Sequence, residues 1–176
     1  MRELFWKELN KASSNKEVKH WQGIFPEAAI INFETLLNQS QYISRLTGHD
    51  TIMDNYCVNM PNVENNKHIK PFFTEFVTNY TSVEGDVKVN CSFFWSLSDN
   101  HSSLHMHRDL ESVLLIQGYG EVCIPTTNEE ADNYKIQHLK IGDALFLPRL
   151  LPHKAIPLSP RVTLSIGANP LSKLDV

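Results

Sequence analysis

One stretch of sequence decides the fold: HMHRDLESVLLIQGYGEVCIP, residues 105–125. Its first seven residues place four potential metal ligands at alternate positions, namely His105, His107, Asp109 and Glu111. Because successive side chains of a strand point to opposite faces, an extended segment would present all four to one side. The apolar run that follows, broken at Gly118–Gly120, is typical of a strand pair that enters a core. The pattern therefore predicts a β-core with metal ligands at the start of one strand.

A second stretch, LKIGDALFLPRLLPHKA at residues 139–155, supplies a further histidine. A Gly142–Asp143 turn leads into an apolar strand, a proline, a short loop and then His153. His153 alone fits a structural role, but beside the upstream cluster it becomes the natural third ligand. Two imidazoles and one carboxylate on one side of a metal form the facial arrangement of non-haem Fe(II) sites, which leaves the other coordination positions open.

From about Val87 onward, the residue composition and spacing are typical of an all-β fold. Short β-rich runs separated by glycine and proline occur at VKVNCSFFWSLS, YKIQHLKIGDALFLP, HKAIPL and RVTLSIG. Strands of this length and spacing predict a sandwich or a barrel.

The first third of the chain is predicted to be rich in helices. Apolar residues fall near helical spacing in residues 3–14, and a second helix is expected to be capped by Asn32 and to end at Gly48. A short helix is expected around PFFTEFVTNY, and FPEAAIINF reads as a short edge strand. We therefore predict a single domain, mainly β with N-terminal helices, in which residues 1–86 form a helix-rich lead-in and residues 87–176 form the barrel.

Composition limits the function further. The chain has 176 residues and a formal net charge of -4, which argues against a general nucleic-acid binder. Three cysteines without a CxxC pattern predict reduced thiols rather than a disulfide framework. The N-terminus MRELFWKELNK is charged throughout, and no apolar run approaches the roughly 20 residues of a membrane helix. These features predict a cytoplasmic protein that does not enter a membrane.

The stretches HMHRDLESVLLIQGYG and GDALFLPRLLPHKA resemble the cupin superfamily, and within it the JmjC-like oxygenases. The resemblance covers roughly residues 87–167, and HWQGIFPEAAIINF is similar to the lead-in of the same group. It implies a double-stranded β-helix, the jelly-roll or cupin barrel.

The resemblance leaves two sets of metal ligands open. In the JmjC-like pattern, HxD, the catalytic metal ligands are His107, Asp109 and His153, and the turn at 117–120 is similar to bacterial ribosomal-protein hydroxylases. In the general cupin pattern, the ligands are His105, His107, Glu111 and His153, although Leu150 stands where a glycine is usual. We favour the first set, and both sets contain the two histidines.

The resemblance also implies Fe(II) and 2-oxoglutarate as cofactor and co-substrate. JmjC-like enzymes often carry a Lys or Arg on the strand after the HxD motif, but this chain has Glu121 and Val122 there. Arg161 and Thr163 in RVTLS share one strand face and are the candidate substitutes, because an arginine and a hydroxyl suit a carboxylate. The alternative is that Arg161 simply points to solvent.

The expected function is an Fe(II)- and 2-oxoglutarate-dependent dioxygenase, a hydroxylase of a protein side chain or a small molecule. One alternative is a cupin metalloenzyme, a dioxygenase or isomerase, that uses another divalent metal alone. A second is a non-catalytic cupin that binds a ligand. The sequence leaves the primary substrate open and is compatible with a monomer or a homodimer.

Overall fold

The computed structural model describes residues 2–47, 57–82, 85–99, 104–127 and 134–171. In these ranges, three α-helices precede the main run of strands: α1 (Arg2–Asn15), α2 (Phe33–Thr47) and α3 (Lys70–Asn79). All three were predicted from the sequence and are confirmed. None of the helices in this part of the chain is long and apolar enough to cross a membrane.

The start of α2 shows why the sequence pattern worked here. The Oδ1 of Asn32 accepts a hydrogen bond of 3.1 Å from the backbone N–H of Thr35, as an N-cap residue does. Gly48, the predicted end of this helix, lies outside the described residues.

The predicted edge strand at FPEAAIINF is wrong. Pro26–Ile30 forms a 3-10 turn instead. Pro26 has no N–H to donate to a strand ladder, and its fixed φ suits the first turn of a helix. The two apolar side chains at Ala28 and Ile31 are fully buried, and Ile31 packs against Gly118 of the larger sheet.

Two antiparallel sheets form the β part of the fold. Among the described residues the larger sheet has the strand order β1-β7-β4-β9-β3-β2, and the smaller sheet has the order β6-β5-β8. The strands are β1 (Lys19–Trp21), β2 (Cys57–Pro61), β3 (Val87–Ser96), β4 (Ser112–Tyr119), β5 (Val122–Thr126), β6 (Lys135–Leu139), β7 (Ala144–Leu147), β8 (Ile156–Pro157) and β9 (Arg161–Pro170). The predicted fold class, mainly β with N-terminal helices, is confirmed.

The two faces of the larger sheet are buried against different partners. One face, which includes Leu114, Ile116 and Leu164, packs in one cluster with helix residues such as Phe5 and Phe76. The other face contributes to a cluster shared with the smaller sheet, made of Val113, Leu115, Val122, Ile124, Leu139, Leu145 and Leu147. Because both faces are covered, β4 and β7 read as continuous apolar runs rather than as alternating ones.

The lead-in contributes strands as well as helices. β1 pairs with β7, and β2 pairs with β3, so both belong to the larger sheet. The division of the domain at residue 86 stays a prediction.

The long pairing of β9 sets the positions of the inner side chains. It pairs with β3 from Val87 opposite Pro170 to Ser96 opposite Arg161. On its other side it pairs with β4, where Gln117 lies opposite Thr163. Side chains at alternate positions of β9, beginning with Arg161, therefore face the space between the two sheets.

We predict that Gly118→Ala is strongly destabilising. A Cβ at this position would overlap the backbone carbonyl and side chain of Ile31, which cannot move without displacing the turn. Urea unfolding should show a loss of about 2 kcal/mol or more, the upper part of the range for overpacking.

Gly23→Ala is the matched control. Its φ is +57°, but a Cβ there would meet nothing within 4 Å. Only the left-handed backbone is then unfavourable, which costs about 1 kcal/mol. Equal losses in the two variants would contradict the packing of Gly118 on Ile31.

Candidate metal centre

His107 and His153 are placed side by side by their own backbones. The N–H of His107 donates to the carbonyl of His153 at 3.0 Å, and the N–H of His153 donates back at 2.9 Å. This reciprocal pair forms an isolated antiparallel bridge, and His153 bridges on its other side to Thr126 at the end of β5. Directly paired residues point to the same face of a sheet, so both imidazoles share the inner face with Thr126.

Asp109 completes the group from the turn that follows. Its backbone carbonyl accepts a hydrogen bond of 2.8 Å from the N–H of Leu150. Its Oδ1 lies 3.5 Å from Nε2 of His107, and its Oδ2 lies 3.4 Å from Nε2 of His153. One potential ligand atom from each of the three residues lies within 4.8 Å of the others, and no other such group occurs in the described parts of the chain.

The hydrogen bonds of the two imidazoles fix which nitrogen faces the centre. Nδ1 of His107 lies 2.8 Å from the carbonyl of His105, and Nδ1 of His153 lies 2.9 Å from the carbonyl of Leu151. A carbonyl can only accept, so each Nδ1 carries a proton, and Nε2 is the nitrogen of each ring that faces Asp109. Two Nε2 atoms and one carboxylate thus meet at one place, and in the neutral form of the rings all three are electron-pair donors that a cation can bind.

Burial affects the two imidazoles differently. His153 is buried, whereas His107 and Asp109 are half-buried. Burial lowers the pKa of His153 below its ordinary value, although the carbonyl of Leu151 and the charge of Asp109 act in the opposite direction. The neutral form, which is the form that binds metals, is therefore favoured at His153. The exposed part of His107 and Asp109 leaves the centre open on one side.

The four alternate residues of HMHRDLE do not share one face, contrary to the sequence-based expectation. The segment is not a continuous strand, because only His107 takes part in a bridge and the backbone bends at 110–111. His105 is exposed and contributes its carbonyl rather than its ring. The alternation of side chains therefore does not hold across this stretch.

Glu111 points away from the histidines, along the larger sheet. Its Oε2 accepts a short hydrogen bond from the side-chain amide of Asn90, and its carboxyl group lies over Gly167, where a Cβ would overlap it. The described group of potential ligands accordingly contains Asp109 and not Glu111. Burial raises the pKa of Glu111.

Arg161 and Thr163 lie between the sheets in a chain of hydrogen bonds. Arg161 is only 2% exposed, so the alternative that it points to solvent is wrong. Its Nη1 donates to Oγ1 of Thr163 at 2.8 Å, and that hydroxyl donates to Oε1 of Gln117 at 2.7 Å. The amide of Gln117 in turn donates to the carbonyl of Tyr119 at 2.6 Å.

Ser96 is a candidate site residue that sequence reasoning missed. It lies directly opposite Arg161 in the pairing of β3 with β9, and it is fully buried. Among the residues that the structure describes, its Oγ has no hydrogen-bond partner, which is unusual because a buried hydroxyl normally has one. In the sequence, Ser92 and Ser96 lie at even positions of VKVNCSFFWS, so they share one face of the strand. Only the pairing with β9 shows that this face is the one that carries Arg161.

The position expected to carry a cation on the next strand is apolar. Val122 is fully buried within the cluster between the two sheets. Val122 therefore supplies no positive charge. Among the described residues, Arg161 is the buried cation on the inner face.

We predict that Asp109→Ala weakens Mn(II) binding, measured by calorimetry, by at least about tenfold, because one of three convergent ligands is lost. Glu111→Gln is the matched control and should leave the affinity within about twofold of the original, because its carboxyl group faces Asn90. The reverse pattern would show that the general cupin ligand set is the correct one.

Glu111→Gln should also stabilise the protein at neutral pH. Since burial raises the pKa of Glu111, ionisation is less favourable in the folded than in the unfolded chain, and this cost is present above the folded-state pKa. The gain should shrink as the pH falls through the raised folded-state pKa and be absent below 4.5, the ordinary value, where both states are protonated. A gain that is independent of pH in urea unfolding would contradict this account.

No family model and no curated protein matches the sequence. Among solved structures, the chain is similar to Escherichia coli YcfD, with a TM-score of 0.50 and 17% identity over 65% of this chain and 34% of that one. A complex of YcfD, a ribosomal oxygenase, with cobalt and 2-oxoglutarate gives 0.49 and 18%, over 60% of this chain and 29% of that one.

The Mn(II)-containing oxalate decarboxylase of Bacillus subtilis gives a TM-score of 0.42 and 16% identity, over 48% of this chain and 22% of that one. The chain thus spans about a third of the length of YcfD, since the match covers 34% of it. At 17% identity, the similarity to YcfD shows a shared fold and nothing about function. The chain therefore has a double-stranded β-helix fold like that of YcfD, which confirms the predicted resemblance at the level of the fold.

Proposed function

We propose that the protein is an Fe(II)- and 2-oxoglutarate-dependent oxygenase that hydroxylates a protein side chain or a small molecule. One observation carries the proposal. His107, Asp109 and His153 meet with both Nδ1–H groups turned to backbone carbonyls, so that two Nε2 atoms and one carboxylate face a common point. This donor set is the facial triad of non-haem iron sites.

The three residues would hold Fe(II) at one end of the space between the sheets. When bound, Fe(II) supplies the activation of dioxygen that a hydroxylation requires. The protein's own contribution is positioning. The backbone bridge fixes the two imidazoles, and the N–H of Leu150 fixes the turn that carries Asp109. Such outer contacts keep ligands in the orientation that the metal needs.

The distal carboxylate of 2-oxoglutarate would bind to Arg161, Thr163 and Ser96. A guanidinium at 2% exposure attracts an anion strongly, because little water screens the charge. The Oγ of Ser96 is buried and has no hydrogen-bond partner in the described part of the chain, so it would gain a hydrogen bond when a carboxylate arrives. Arg161 also donates a hydrogen bond to Thr163 on the same face of β9, so the two side chains are close enough to bind one carboxylate together.

The apolar side chains between the sheets would keep water from the reacting groups. Val113, Leu115 and Leu147 lie in the inner cluster and are at most 9% exposed. An excluded-water cavity strengthens the electrostatic contacts inside it and limits side reactions.

A second candidate function is a divalent-metal cupin enzyme that does not use 2-oxoglutarate. Two observations favour it. Val122 is apolar and buried where the JmjC-like pattern often carries a cation. The hydroxyl of Thr163 is already bound to Gln117, so a co-substrate would have to displace or share this contact.

The proposal is tested by titrating anaerobic, Fe(II)-loaded protein with 2-oxoglutarate. Chelation of the co-substrate should produce a visible metal-to-ligand charge-transfer band. Arg161→Ala should raise the half-saturating concentration about 10- to 100-fold, since a hydrogen bond to a charged group contributes about 1.5–3 kcal/mol. Arg45→Ala, on the exposed end of α2, is the control and should change nothing.

Because Arg161 is buried, a second variant guards against misfolding. Ser96→Ala should weaken 2-oxoglutarate binding by about threefold to tenfold, the size of one ordinary hydrogen bond. Unfolding stability should stay the same or rise, because the variant removes a buried hydroxyl that has no partner among the described residues. A protein that binds Fe(II) but shows no band would favour the enzyme without 2-oxoglutarate.

A further inference from the structure

The two histidines of the metal centre continue a row of paired residues across the smaller sheet. His107 pairs with His153, and His153 pairs with Thr126. Thr126 in turn pairs with Lys135, the first residue of β6. Directly paired residues point to the same face of a sheet, so Lys135 shares the face of the two histidines. We name these four residues the ligand row.

The rest of β6 gives independent support for the inward position of Lys135. Leu139 lies at an alternate position of the same strand and belongs to the cluster between the two sheets. Burial increases along this face of β6, from exposed Lys135 through half-buried Gln137 to fully buried Leu139. The ligand row therefore lies at the open end of the space between the sheets, where the metal centre is also accessible.

The backbone pairing fixes how far Lys135 is from the metal centre. The neighbours of Thr126 and His153 are joined on either side by backbone hydrogen bonds of 3.2 and 3.3 Å, so Thr126 and His153 are the more closely spaced kind of antiparallel pair. With one further strand spacing, the Cα of Lys135 lies about 10 Å from that of His153. The flexible four-carbon stem of a lysine can carry its ammonium group across part of this gap.

The charge of Lys135 has no carboxylate partner among the described residues. Its ammonium group makes no salt bridge or hydrogen bond in this part of the chain. Its contact with Thr126 uses the backbone carbonyl of Lys135, which accepts a hydrogen bond of 3.3 Å from Oγ1. Asp109, the carboxylate of the metal centre, contacts the two histidines instead. An unpaired cation at the entrance of a cleft attracts anions toward it.

We propose that Lys135 is a specificity-determining residue and that the primary substrate carries a carboxylate, which Lys135 binds at the open end of the barrel. This inference rests on the proposed oxygenase function and names the substrate class of the same site. A single ammonium group supplies one positive charge, which matches a carboxylate better than a doubly charged phosphate.

The co-substrate and the primary substrate would meet different cations. Val122, at the end of β5 remote from Thr126, pairs with Pro157, and Arg161 begins the next strand. Arg161 is therefore placed toward the buried end of the space, and Lys135 at its open end. A substrate that enters from the open end meets the metal centre and Lys135 together, so its reacting carbon is positioned while its carboxylate is held.

The test compares two probes of the same shape, N-acetylglutamate α-amide and N-acetylglutamine α-amide, of which only the first is charged. Protein loaded with Zn(II), a diamagnetic substitute for Fe(II), is saturated with 2-oxoglutarate and titrated with each probe. NMR follows the backbone amides of Lys135 and Thr126. We expect saturable shifts with the charged probe and an affinity about threefold to fivefold lower for the neutral one, the scale of an ion pair that stays partly in water.

Variants assign this preference to one side chain. Lys135→Gln should remove it, and Lys135→Arg should keep most of it, because the charge is retained. Lys140→Gln is the matched control, since Lys140 is an exposed lysine directly after the other end of β6, and it should leave the preference unchanged. The proposal is overturned if the charged probe gives no saturable shifts, or if the preference survives Lys135→Gln.

Two further outcomes separate this inference from the proposed function. An Fe(II) protein that shows no charge-transfer band with 2-oxoglutarate, but keeps a preference for the charged probe that depends on Lys135, would remove the oxygenase assignment and leave the role of Lys135 in place. If Lys135→Gln weakens 2-oxoglutarate binding as much as Arg161→Ala does, Lys135 belongs to the co-substrate site and the proposal is wrong.

The segment before β6 requires a separate control. NEEADN, residues 128–133, is acidic and lies outside the described residues. The double variant Glu129→Gln, Glu130→Gln should therefore be titrated with both probes beside the unchanged chain. A preference for the charged probe that appears only in the double variant would contradict the proposal for the native chain.

Discussion

The reciprocal pair of backbone hydrogen bonds between His107 and His153 is the contact on which the candidate site depends. It joins two segments that lie far apart in the chain and extends the smaller sheet from Thr126 to His107. Because the contact uses main-chain groups, the two imidazoles are placed by the fold and not by their own side-chain interactions. Asp109 then needs only one turn of chain, held by Leu150, to reach both rings.

The local patterns predicted more of the molecule than the non-local ones. Helix caps, apolar periodicity and turn residues act over a few positions, so the helices and the β-rich texture were predicted correctly. The edge strand at FPEAAIINF was wrong, because Pro26 favours the first turn of a helix and because Ile31 packs against Gly118, a partner remote in sequence. The grouping of His107, Asp109 and His153 could be proposed from the resemblance. The bend that separates Glu111, and the register that places Ser96 opposite Arg161, depend on pairing that no local pattern shows.

The inner face of β9 is polar where most of the barrel is apolar. Arg161, Thr163 and Ser165 are buried there, while the intervening Val162 and Leu164 pack under the helices. Buried polar groups contribute little net stability even when they are hydrogen-bonded, and a buried guanidinium has a high desolvation cost. Conformational stability alone would favour apolar residues on this face. We therefore attribute its polar side chains to the binding of a polar ligand between the two sheets.

The long pairing of β3 with β9 has a consequence for the speed of folding. These two strands are hydrogen-bonded over the full length of each, yet almost the entire barrel separates them along the chain. Loop-closure entropy must be overcome before such contacts form, and domains with mostly remote contacts fold slowly. The first of the two to leave a ribosome would wait with an unpaired edge until the last has been synthesised, so we expect the nascent chain to need protection from aggregation until β9 emerges.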